Sequence, residues 1–118
     1  PLERIGMLSA DSMRAGRLVI DTGTHAMGWT RQQAIDYFRE NSPMSQATIE
    51  AEVDRYIALP GQALAYMIGR LEIQRMRAEA EKEMGKRFDI KGFHDTVLGS
   101  GLVPLNTLDR MVKEWAAA

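Results

Sequence analysis

Apolar residues recur at helical spacing along almost the whole chain, and the clearest stripe comes last. Leu105, Leu108, Met111, Val112 and Trp115 follow one another three and four apart, an amphipathic face that must bury against something. A longer element runs from about Gly61 to Met84, with Leu64, Met67, Ile68, Leu71 and Met76 as its inward stripe and Gly85 placed to end it. No run alternates β-branched and polar residues between hairpin signals, so the predicted fold is all-α, a compact bundle of about five or six helices. Between these helices lie recognisable stops and starts. A first helix, about Leu2 to His25, places Ile5, Leu8, Met13, Leu18 and Ile20 among charged residues. Gly6, Gly16 and Gly23 each weaken that helix by roughly 1 kcal/mol relative to alanine, which suggests close packing or a break. Thr30 and Gln33 have the spacing of a capping box, and a short second helix to about Arg39 carries Ala34, Ile35, Tyr37 and Phe38. Asn41-Ser42-Pro43 ends it, Ser45 caps a third helix through Ile49, Val53 and Ile57, and Leu59-Pro60-Gly61 closes that one. Asp89 caps a fifth helix with Ile90, Phe93, Val97 and Leu98, stopped by Gly99-Ser100-Gly101, and Pro104 suits the first turn of the sixth. Residues 1–118 are read as a single helical unit.

Composition narrows the partners more than the fold. The chain has 118 residues, 45% of them apolar, no cysteine, and a net charge of −1. A core is feasible at this size without disulfides, and the absence of cysteine selects no compartment. Fifteen basic residues against sixteen acidic ones give no summed positive field, which argues against nucleic acid as a partner. Apolar stretches such as Leu18-Val19-Ile20 fall far short of a membrane span, and the first residues do not resemble a signal peptide. The run Glu72 to Lys86 is dense in opposite charges three and four apart, the signature of a solvated helix face.

Candidate chemistry is sparse. Two histidines and no thiols cannot build a closed zinc site or the two-histidine helix of a zincin, so no cofactor is expected in this chain. Asp21 and His25, four apart, put a carboxylate beside an imidazole if the helix continues through Gly23; a surface polar pair at a helix end is the plainer reading. The serines lack a nucleophile elbow, and Gly99-Ser100-Gly101 is a turn rather than a phosphate loop. Of His94 and Asp95, adjacent on a helix, one is expected to face in and the other out. Pro60 to Gly69 is more unusual. It joins a helix start to small residues, Gln62, and Tyr66 one turn on, consistent with an anion-attracting helix end or with ordinary helix packing. Arg17, Arg70 and Arg77 are each suited to bidentate carboxylate binding or to a structural ion pair.

Three ordered stretches carry a resemblance. Arg14-Ala15-Gly16-Arg17-Leu18-Val19-Ile20-Asp21-Thr22-Gly23-Thr24-His25-Ala26-Met27-Gly28-Trp29 is similar to an "RxxRLVxDxGxHxxxW" segment of a bacterial family known as domain of unknown function 885. Glu52 to Tyr56 leading into Pro60-Gly61-Gln62-Ala63-Leu64-Ala65-Tyr66-Met67-Ile68-Gly69 resembles its "P-x-Q-A-x-x-Y-x-x-G" segment, and Phe88 to Asp95 with Gly101 and Pro104-Leu105 resembles its C-terminal ending. The resemblance implies α-helical, zincin-like zinc metallopeptidases, with a metal motif upstream of the region matched. This chain would then be a C-terminal portion, inactive alone, with zinc held elsewhere in the intact protein. Export signals, where family members carry them, would also lie upstream. The Asp21–His25 turn and the Gln62–Tyr66 helix start would line the cleft. In that setting Tyr66 and His25 are the candidate catalytic groups, and Arg17, Asp21, Gln62 and Arg70 the candidate contacts to a peptide substrate. The expected partners are the remainder of the polypeptide, or a second copy covering exposed apolar surface. The alternative is a stand-alone helical scaffold or protein-interaction module, in which these polar residues only cap and pack.

Overall fold

Each of three helices begins where a short polar side chain accepts the N–H groups that the first turn leaves unpaired. The computed structural model describes residues 2–118. It places α1 at Leu2–Ala26, α2 at Arg31–Asn41, α3 at Gln46–Ala58, α4 at Ala65–Met84, α5 at Ile90–Gly99 and α6 at Leu105–Ala117, with 3-10 turns at Gln62–Leu64 and Gly85–Arg87 and no strand among the described residues. The all-α expectation holds. Thr30 accepts from the Gln33 N–H at 3.2 Å while the Gln33 side chain accepts from the Thr30 N–H at 2.8 Å, the reciprocal capping box that the spacing predicts. Ser45 caps α3 through the Thr48 N–H, and the Asp89 carboxylate caps α5 through the N–H groups of Lys91 and Gly92. No helix is long and apolar enough to cross a membrane.

The chain gathers into two compact units, the first ending at Ile68 and the second running Gly69–Ala118. In the first, Ile20 of α1 packs with Ala34, Ile35 and Phe38 of α2, Ile49, Val53 and Tyr56 of α3, and Ala63 of the 3-10 turn. The glycines of α1 mark close approach, not a break. A Cβ at Gly16 would stand 2.6 Å from the Phe38 ring, and one at Gly23 would stand 2.5 Å from the Trp29 indole, whereas Gly6 faces open space. Two expectations for apolar faces change here. Ile5 and Leu8 are exposed, so the inward stripe of α1 begins only near Met13, and on α3 the buried position is Tyr56 while Ile57 is exposed.

The second unit holds Met76 and Ala80 of α4 against Phe93 of α5 and Leu108, Val112 and Ala116 of α6. Trp115 meets Phe88 edge-on at 6.0 Å and lies 6.3 Å from Phe93. Leu71 and Leu98, expected inside, are exposed, as is Ile68 at the end of the first unit. Of the charged run, Arg75 does most: its guanidinium reaches Glu72 at 2.9 Å, Glu79 at 2.8 Å and Asp109 of α6 at 2.8 Å. Lys113 meets the other oxygen of Asp109 at 2.6 Å. Lys113 first and Arg75 second hold the Asp109 carboxyl below the usual carboxylate range, while Glu72, Glu79 and Asp109 raise Arg75 and Asp109 raises Lys113.

Candidate functional site

Arg17, Asp21 and His25 stand four residues apart, so an unbroken α1 presents all three on one face. Gly23 leaves the helix intact, and the face is turned to the end of α3 and the Leu59–Gly61 turn. Asp21 and His25 do not pair with each other, contrary to the tautomer-fixing arrangement their spacing allows. The Asp21 carboxylate instead accepts from the Gly61 N–H, with its oxygens at 3.0 and 3.1 Å. His25 Nε2 lies 3.0 Å from the Tyr56 carbonyl oxygen. A carbonyl only accepts, so Nε2 carries a proton in that bond.

The buried part of the cluster centres on Glu52 and Tyr56. Arg17, only 8% exposed, donates through Nε to the Tyr56 hydroxyl at 2.9 Å and through Nη2 to Glu52 at 3.3 Å. The Tyr56 hydroxyl donates to the same Glu52 oxygen, and Arg55 reaches Glu52 at 2.8 Å. A buried guanidinium therefore has a counter-ion and a neutral acceptor, as its desolvation requires. The Arg55 hydrogen bond, aided by the one from Tyr56, holds the Glu52 carboxyl below its ordinary range against the opposing effect of burial. The Tyr56 hydroxyl moves the other way, pushed up to about 12 by burial and by the adjacent Glu52 carboxylate.

Around this core sit the groups that face outward. Gly61 adopts φ +82°, a left-handed conformation that suits glycine, and it opens the 3-10 turn that begins at Gln62. The Gln62 side-chain oxygen accepts from Arg55 at 2.7 Å. Tyr66, in the first turn of α4, is 59% exposed, and its ring has the guanidinium carbons of Arg14 and Arg17 at 5.5 and 5.6 Å from its centre. Among the described residues its hydroxyl has no hydrogen-bond partner.

Residues 1–112 match the family described as "Bacterial protein of unknown function (DUF885)". The chain belongs to this family. A solved structure described as "The crystal structure of the putative lipoprotein from Colwellia psychrerythraea" is 45% identical, with a TM-score of 0.95 over 97% of this chain. The chain spans 20% of the length of that protein. No curated protein matches it.

The first unit of this DUF885 chain thus brings together Arg17, Asp21, His25, Gln62 and Tyr66 from segments about forty residues apart. Arg70 lies in the second unit and is exposed. His94 and Asp95 are both exposed, and it is Phe93 that enters the core, so the in-and-out expectation for that pair is corrected. Sequence reasoning missed the roles of Glu52, Arg55 and Tyr56. Their signal was available: Glu52 and Tyr56 are four apart on α3, and Arg17 needed a buried counter-ion. Among the described residues no three of His, Cys, Asp and Glu converge as metal ligands.

Proposed function

We propose that the first unit forms a wall of the substrate cleft of a larger peptide hydrolase, with Tyr66 as its hydrogen-bond donor to the reacting carbonyl. The observation that supports this most is Tyr66 itself. An exposed phenol with two guanidinium groups at its ring and no hydrogen-bond partner for its hydroxyl among the described residues has a positioned hydroxyl that the described fold does not use. A donor aimed at an oxygen that gains negative charge stabilises the transition state without reorganising. His25 has a different part. With Nε2–H committed to the Tyr56 carbonyl, it positions the end of α1 against α3. The zinc of the family resemblance would be held by other parts of the intact protein, and none of these roles runs through it.

The uncovered apolar face of α1, with Leu2, Ile5 and Leu8 each more than half exposed, supports a portion that packs against more polypeptide. The test is peptide turnover by the intact protein supplied with zinc. Tyr66→Phe is expected to lower kcat/KM by about a hundredfold with helical content unchanged. Unchanged turnover would make Tyr66 structural, and an intact protein that cleaves no peptide would favour the scaffold reading.

A further inference from the structure

Arg17 cannot serve a ligand, because its Nε is held by Tyr56 and its Nη2 by Glu52, and it is buried. Arg14, one turn earlier on α1, differs in each respect. It is half-buried, its guanidinium lies 5.5 Å from the centre of the Tyr66 ring, and among the described residues it has no carboxylate within ion-pair distance. Two guanidinium groups against one ring repel each other, and only Arg17 has its charge answered.

We propose that Arg14, held over the Tyr66 ring, forms the seat for the terminal carboxylate of a peptide ligand. This rests on the reading of the first unit as a peptide-binding wall and names the class of peptide it takes, one with a free C-terminus. A guanidinium offers two parallel N–H donors that match a planar carboxylate, which leaves the Tyr66 proton for the reacting carbonyl. One unanswered cation suits a singly charged group. The net charge of −1 gives the chain no wider positive field to gather polyanions.

The experiment is calorimetric binding of N-acetyl-dialanine, as free acid and as C-terminal amide, to the intact protein. The free acid is expected to bind at least about tenfold more tightly, the range for a hydrogen-bonded charge. Arg14→Gln should abolish that preference, Arg14→Lys should keep part of it, and Arg110→Gln, on an exposed pair of α6, should leave it whole. Circular dichroism checks that each variant is folded. Equal binding of acid and amide by the unaltered protein overturns the proposal. So does a preference that survives Arg14→Gln, or inorganic phosphate displacing the acid at equal concentration. An intact protein that prefers the acid but cleaves no peptide upholds the seat and refutes the hydrolase reading. One that cleaves peptides while binding acid and amide alike does the reverse.

Discussion

Replacing each of three glycines of α1 by alanine makes the same chemical change in the same helix, yet the surroundings predict opposite signs. In a helix interior alanine is favoured over glycine by about 0.5–1 kcal/mol. At Gly6 nothing lies within 4 Å of the new methyl, so Gly6→Ala is expected to stabilise by about that amount. At Gly16 the methyl would sit 2.6 Å from Phe38 Cε1, and Phe38 is fully buried between α1 and α3, so its ring has nowhere to move. Overpacking of a tight core costs about 1–3 kcal/mol, which outweighs the helix gain and leaves a net loss of about 1–2 kcal/mol. For a unit of this size that lowers Tm by roughly 4–8 °C per kcal/mol. Gly23→Ala meets the Trp29 ring at 2.5 Å, but Trp29 is only half-buried and can swing outward, at the expense of its contact with Tyr37 at 5.8 Å. Its loss should fall between the other two. Equilibrium urea denaturation followed by helical circular dichroism measures all three. A Gly16→Ala variant as stable as the parent, or three shifts of one sign, would refute the packing argument.

The other predictions concern the polar cluster. Tyr56→Phe removes one partner each from Arg17 and Glu52 and should cost about 2–4 kcal/mol, judged from bonds to charged groups. In a double-mutant cycle with Glu52→Gln the two losses should fall short of additive by at least about 0.5 kcal/mol, and strict additivity would mean that the residues act apart. Because the Tyr56 hydroxyl is raised in the folded state, its contribution is complete below pH 10 and is lost as pH rises toward about 12. Glu52, lowered when folded, contributes fully above its unfolded value near 4.3 and loses that contribution as pH falls through its lower folded value. Stability measured against pH should therefore drop on both sides, and Tyr56→Phe should flatten the alkaline side. Gly61→Ala should cost about 1 kcal/mol through its positive φ alone, read in the same denaturation experiment, and no loss would place the turn's tolerance elsewhere.

What the sequence makes legible here is local. Thr30, Ser45 and Asp89 announce their helices because capping is settled by atoms within three residues of the cap, and α6 follows from its own stripe. The site residues Asp21, His25 and Gln62 were visible as residue types in a pattern, but their partners were not. Asp21 is satisfied by a backbone N–H forty residues away and His25 by a carbonyl, and a backbone group leaves no residue-type signal. Apolar exposure on α1, at Leu71 and at Leu98 was hidden for a related reason: periodicity reports that a face is apolar, not that anything covers it. Gly16 and Gly23 lay between these cases, since a glycine in a helix signals either close contact or weakness until the neighbouring ring is placed.

Arg75 constrains the order in which this chain can change. One guanidinium stands against Glu72, Glu79 and Asp109, with Lys113 sharing only the last. Losing Arg75 first would do more than delete three contacts, because it would leave Glu72 and Glu79 without that cation and Asp109 with Lys113 alone where α4 meets α6. Losing Glu79 first leaves Arg75 with Glu72 and Asp109 as partners. Drift at this junction is therefore easier from Glu79 than from Arg75, so related sequences are expected to keep Arg75 wherever they keep all three acids.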